Sequence, residues 1–119
     1  MMSGNIGITD RRVDTVDVVS IRGRLDASSS QDAEKRINEL IDGGSTKILI
    51  NLCDLDYISS SGLRVMLAAL KRLKKTQGDL KLACLKPAIQ DVFSMAGFHR
   101  IFAIYGSEAE ALSSFGVTA

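Results

Sequence analysis

The chain has 119 residues, 45% of them hydrophobic, with 15 Lys and Arg against 14 Asp and Glu for a formal net charge of +1. That length fits one domain spanning residues 1–119, with enough apolar weight for a core without metals or disulfides. The balanced charge argues against a nucleic-acid binder that relies on phosphate attraction, and no apolar run approaches the roughly 20 residues that cross a bilayer.

Met1 to Asn5 reads as a loose start. Ile6 to Val13 and Val16 to Arg24 read as two strands joined at Asp14-Thr15, an antiparallel hairpin. Ser28-Ser29-Ser30-Gln31 matches a capping box, and Ala33, Ile37, Leu40 and Ile41 follow at helical spacing until Gly43-Gly44. Lys47 to Leu52 is a nearly continuous apolar run, which suits a strand covered on both faces. Leu63, Met66, Leu67, Leu70 and Leu73 recur at steps of three and four, an amphipathic helix stopped at Gln77-Gly78-Asp79. Leu80 to Leu85 is another strand. Pro87 opens a helix with the stripe Ile89, Val92, Phe93 and Ala96, ended by Gly97. Ile101 to Tyr105 is a last strand, and Ser107-Glu108-Ala109-Glu110 caps a short final helix. Strand and helix alternate after the hairpin, which predicts an α/β domain with a mixed, mostly parallel sheet and about four helices.

Several chemistries find no support. His99 is the single histidine and has no visible partner constellation, so a packed or surface role is expected. No Gly-x-Ser-x-Gly elbow, Walker loop, dinucleotide fingerprint or metal-ligand spacing is present. Asp54 and Asp56 read as solvated carboxylates entering a turn; an enzyme using Asp26, Asp54 or Asp56 would need a pocket the sequence does not announce. The cations from Lys71 to Lys75 read as the wet side of a helix. Cys53 and Cys84 read as two small buried thiols in a reducing compartment rather than as a disulfide or metal pair. Met1 to Asp10 is too short and polar for a secretory signal, so a soluble cytoplasmic protein is expected.

What stands out is Tyr57-Ile58-Ser59-Ser60-Ser61-Gly62-Leu63-Arg64, where an apolar strand hands over to a helix. A helix start presents free N–H groups and partial positive charge, a natural seat for a phosphate. One capping serine would suffice there; three, followed by a glycine that admits a foreign backbone, exceed the need.

The stretch from Asn51 to Arg64 resembles the signature of the anti-sigma factor antagonists, the STAS domain family. Gly23-Arg24-Leu25-Asp26 resembles that family's Gly-Glu-Leu-Asp turn, and Ala96-Gly97-Phe98 its helix ending in Gly-Leu. The three matches occur in order and cover nearly the whole chain. Two positions depart from the usual pattern: the family often has aspartate where this chain has Asn51 and Ser59.

The resemblance implies a STAS-like fold and a non-enzymatic switch. The serine before the glycine, Ser61, would be phosphorylated by an anti-sigma factor serine kinase, with Ser60 as the neighbouring candidate. Asp26 would lie beside it. Ser59, Ser60, Ser61, Gly62, Leu63, Arg64 and Asp26 would form the docking surface. The ATP would be the kinase's, this chain needing no cofactor, and a serine phosphatase would reset the cycle. No membrane insertion is implied, and a monomer or weak dimer is expected. The alternatives are a scaffold subunit of a stress-sensing assembly and a regulatory partner of a transporter.

Overall fold

A computed structural model describes residues 6–117, so the loose start expected for Met1 to Asn5 lies outside the described residues. The chain opens with β1 (Ile6–Val13) and β2 (Val16–Leu25), paired antiparallel from Val13↔Val16 to Ile6↔Gly23. Two residues turn the hairpin, and Asp14 takes the left-handed conformation, φ 57°, that a short polar side chain tolerates.

Helix α1 (Ser30–Asp42) returns the chain to β3 (Lys47–Asn51), and β4 (Leu55–Ile58) leads into α2 (Ser60–Lys75). Then come β5 (Asp79–Ala83), α3 (Pro87–Met95), a 3-10 turn at Phe98–Arg100, β6 (Ala103–Tyr105) and α4 (Glu108–Ser114). The sheet order is β1-β2-β3-β5-β6, parallel everywhere except the first pair, and β4 also pairs with β2. The α/β fold with an N-terminal hairpin, a mostly parallel sheet and four helices is therefore as expected.

Strand β4 is the element the sequence reading lacked. The ten residues of β2 hold two partners in succession, Asp17–Ser20 against β3 and Gly23–Leu25 against β4. A register shift at Gly23/Arg24, with Gly23 at φ 93°, accommodates the change. Four residues, with Asp54 just before them and Asp56 among them, carry too little periodicity to announce a strand. The segment Leu55–Ile58 nonetheless puts Leu55 and Ile58 in the core and leaves Asp56 and Tyr57 outside.

Three boundaries move. The capping box at Ser28 does not form: α1 begins at Ser30, and the Ser29 hydroxyl donates to the Arg24 carbonyl (2.7 Å) instead of capping a helical N–H. The last strand begins at Ala103, because Gly97 (φ 78°) leads into the 3-10 turn and Phe102 packs inward with Phe93 and Phe98. The strand expected to reach Leu85 ends at Ala83, where Cys84 turns the chain with a left-handed φ of 65°.

The parity of the strands divides the core. Val19, Ile21, Ile48, Ile50, Leu80 and Leu82 face α1, α2 and α3, whereas Val16, Val18, Leu49 and Ala83 face α4. This explains the continuous apolar run at β3, which is covered on both sides. From α2, Leu63, Met66, Leu70 and Leu73 enter the larger cluster, and α3 adds Ile89 and Phe93. Each such side chain, fully buried, contributes about 1.5–3 kcal/mol. The basic run at the end of α2 stays exposed; Arg72 bonds Asn38 and Asp42 of α1, and Lys74 pairs with Asp79.

Cys53 and Cys84 are joined in a disulfide, which corrects the expectation of two free thiols. The cause is register. Asn51 pairs with Ala83 across β3 and β5, and Leu52 N–H donates to the Ala83 carbonyl (3.0 Å). Cys53 and Cys84 thus leave neighbouring strands at the same end, with Cα atoms 4.7 Å apart, within bonding reach. A separation of 31 residues hides that proximity in the sequence.

Candidate partner-binding site

The serine turn is built from the end of β4. Ser59 is extended (φ −91°, ψ 173°), which aims its hydroxyl at the first turn of α2, where it accepts the Gly62 N–H at 3.2 Å. The Ser59 carbonyl accepts the Leu63 N–H (3.0 Å). The same residue holds the neighbouring loop: its N–H and its hydroxyl both donate to the Leu25 carbonyl. Ser59 is therefore committed to structure. An aspartate here would cap equally well but could not donate to Leu25.

Ser60 and Ser61 have no such duties. Ser60 is exposed and Ser61 half-buried. Among the described residues neither hydroxyl makes a hydrogen bond, and the backbone N–H groups of both are left without a protein acceptor. Ser61 lines a surface groove of about 290 Å³ between α1 and α2, together with Ala27, Ser30, Gln31, Glu34, Arg64, Val65 and Ala68. The exposed Arg64 stands one turn along the helix from Ser61, on the same side, and has no ion-pair partner among the described residues.

Two expected docking residues point inward. Gly62 is buried, and a Cβ there would meet Ile58 Cγ1 at 2.8 Å and Leu25 Cδ2 at 3.0 Å. Its missing side chain lets α2 settle on its own core rather than admitting a foreign backbone. Leu63 is a core residue, 8% exposed. The surface carried by this turn is thus Ser60, Ser61 and Arg64.

Asp26 belongs to the adjoining loop. Its Oδ1 accepts the N–H groups of Ser28 (3.1 Å) and Ser29 (2.9 Å) and lies 3.0 Å from the Ser29 hydroxyl, whose single proton it shares with the closer Arg24 carbonyl. The bonds from Ser29, backbone first, hold its carboxyl below the usual 3.8. Among the described residues Asp26 and Ser61 share no hydrogen bond; Asp26 instead shapes the loop whose next residue, Ala27, lines the groove with Ser61.

Gln31 and Glu34, which complete the groove, escaped the sequence reading. They lie on α1, and only the packing of α1 against α2 brings them to Ser61, so no local signal marks them. Tyr57 opens the stretch that stands out in the sequence, but only the structure shows it facing outward, 39% exposed with the Arg24 guanidinium 4.3 Å from its ring centre. His99 is exposed beyond α3, and Asp56 is ion-paired with Lys86. Among the described residues no group of three or more His, Cys, Asp or Glu could hold a metal, and no helix is long and apolar enough to cross a membrane.

Asn51 uses both ends of its amide. The oxygen accepts the Cys53 N–H (2.9 Å) and the nitrogen donates to Glu108 Oε1 (2.9 Å). A carboxylate could fill the first role but would repel Glu108 in the second.

The mixed sheet with its N-terminal hairpin and four helices is the fold of the STAS domain, whose family model matches residues 8–111. The chain belongs to the STAS domain family. It is 33% identical over 108 residues to BtrV of Bordetella bronchiseptica, which bears an anti-sigma factor antagonist name, covering 91% of this chain and 93% of that one. It is 28% identical to the anti-sigma F factor antagonist of Paenibacillus polymyxa, over 84% of this chain and 86% of that protein. In fold it matches the crystal structure of an anti-sigma factor antagonist from Mycobacterium paratuberculosis with a TM-score of 0.87, at 22% identity, covering 95% of this chain and 96% of that one.

Proposed function

We propose that this protein is an anti-sigma factor antagonist that docks on an anti-sigma factor serine kinase through the serine turn and the Asp26 loop, and is released when Ser61 is phosphorylated. The observation that carries the assignment is a division of labour among three adjacent hydroxyls. Ser59 is bound on both sides, while Ser61 opens into a groove at a helix start with unpaired N–H groups around it. The relatives' names support the class. The ATP belongs to the kinase, and a serine phosphatase restores the unmodified form.

Magnitudes favour a switch that acts at the interface. A phosphate adds about −1.5 to −2 charges. A like charge about 4 Å away, at an effective dielectric near 20, costs roughly 4 kcal/mol. That is close to a thousandfold in affinity, at about 1.4 kcal/mol per tenfold. The helix start stabilises the same phosphate by only about 0.3–1 kcal/mol. The groove itself is nearly balanced, with Arg64 attracting the phosphate and Glu34 repelling it. The modification therefore disrupts a seated partner while leaving the fold in place.

Incubation with the cognate kinase and ATP, followed by mass mapping of phosphopeptides, tests the assignment. Phosphate is expected on Ser61. Phosphate confined to Ser28–Ser30, or to Ser60, contradicts it.

A further inference from the structure

The segment that delivers the serine turn is tied to the rest of the molecule in an uneven way. Strand β4 has one hydrogen-bonded neighbour, β2, and the pairing covers only Gly23↔Leu55, Arg24↔Tyr57 and Leu25↔Ile58. On its other side it faces the β5–α3 connection and α3 with no ladder. Two bonds cross that gap. One is the ion pair Asp56–Lys86, whose side chains are 63% and 44% exposed, a solvated pair of little strength. The other is the disulfide Cys53–Cys84.

The position of the disulfide is specific. Cys53 stands two residues before β4, and Cys84 directly follows β5, in a left-handed conformation unusual for a residue with a side chain. The bond closes a covalent ring, with a sequence separation of 31, that contains β4, the serine turn, α2 and β5. Both cysteines are half-buried rather than sealed in the core.

We infer that Cys53–Cys84 is a redox-responsive bond that sets how firmly β4 and the Ser59–Ser61 turn are held. The chemistry is thiol–disulfide exchange. A thiolate of a dithiol reductant attacks one sulfur and the S–S bond breaks. The electron pair and then a proton go to the other cysteine, leaving a mixed disulfide. The reductant's second thiol resolves that intermediate, giving two protein thiols and the oxidised reductant. A small disulfide oxidant runs the exchange in reverse.

In the reduced protein the Leu52 N–H still bonds the Ala83 carbonyl before Cys53, but the gap beside β4 itself is left to the exposed ion pair and the packing of α3, so β4 opens more often. The β1–β2, β2–β3 and β3–β5 ladders do not involve β4 and keep their pairing and core. The consequence for phosphorylation rests on the function proposed above; the change in the segment itself does not.

Hydrogen exchange followed by peptide mass spectrometry, on the oxidised protein and on the same protein reduced by excess dithiothreitol, tests this. Reduction is expected to speed exchange by about tenfold across residues 53–61, and in the Gly23–Leu25 end of β2 that pairs with them, while leaving Asp17–Ser20 of β2 and all of β3 within about twofold. The Cys53→Ser, Cys84→Ser double variant should match the reduced protein; should it fail to fold, the reduced wild type still decides. Three results overturn the inference: unchanged exchange in residues 53–61, an equal increase throughout the sheet, or a bond that survives excess reductant. A parallel measurement of phosphate transfer by the cognate kinase separates the two claims. Redox-dependent exchange without any phosphate on Ser61 defeats the proposed function and leaves the redox response standing.

Discussion

Ser59 donates to the Leu25 carbonyl twice, through its N–H at 2.9 Å and its hydroxyl at 3.0 Å. The end of β2 and the start of α2 are thereby one unit, and the loop that begins at Asp26 is carried along with the serine turn. Because the same hydroxyl accepts the Gly62 N–H, one side chain caps a helix and fastens a loop.

Ser59→Ala is therefore expected to destabilise the fold by about 0.5–2 kcal/mol, the usual range for a lost N-cap. Ser60→Ala, at an exposed position with no bonds of its own, should stay within about 0.5 kcal/mol. Urea denaturation of the two variants beside the wild type checks the contrast. Equal midpoints for both would show that the Ser59 bonds are dispensable.

Gly62→Ala offers a test of direction. Alanine improves intrinsic helix propensity by about 1 kcal/mol over glycine. Here the added methyl would lie 2.8 Å from Ile58 Cγ1 and 3.0 Å from Leu25 Cδ2, between two core side chains. Overpacking of that kind costs about 1–3 kcal/mol, so a net loss of stability is expected. A raised melting temperature for the variant would contradict the packing described.

Acid sensitivity follows from Asp26. The bonds from Ser29 depress its folded-state value below 3.8, so the ionised form favours the folded state. Its contribution is present above the ordinary carboxylate value and is lost as pH falls through the depressed one. Denaturation between about pH 5 and about pH 2 should show a shallower acid loss for Asp26→Asn than for the wild type. Asp10, held low by Arg36, titrates in both proteins and cancels in the comparison. Parallel curves would remove Asp26 from the acid response.

Much of this was legible in the sequence, for identifiable reasons. The hairpin, the amphipathic helices and the doubly covered β3 rest on long, regular patterns of apolar residues. The serine turn was visible because a hydroxyl cluster and a glycine directly precede a long amphipathic helix along the chain. What escaped depends on distance in sequence. Strand β4 exists because β2 is long enough to accept a second partner beyond β3, and its own four residues carry no clear period. The disulfide depends on the β3–β5 register, and the groove on helices α1 and α2 meeting. Gly62 was read for what it could admit from outside, whereas its neighbours, Leu25 and Ile58, are inside.

The central claim is that a negative charge at Ser61 expels a seated partner without disturbing the fold. Titration calorimetry of the cognate anti-sigma kinase against wild type and Ser61→Asp measures it most directly, with amide spectra of the two proteins as the folding control. The account predicts affinity weakened by up to about a thousandfold, with spectral changes confined to the start of α2 and the facing part of α1. Equal affinities, in proteins whose sheets give matching spectra, would contradict it.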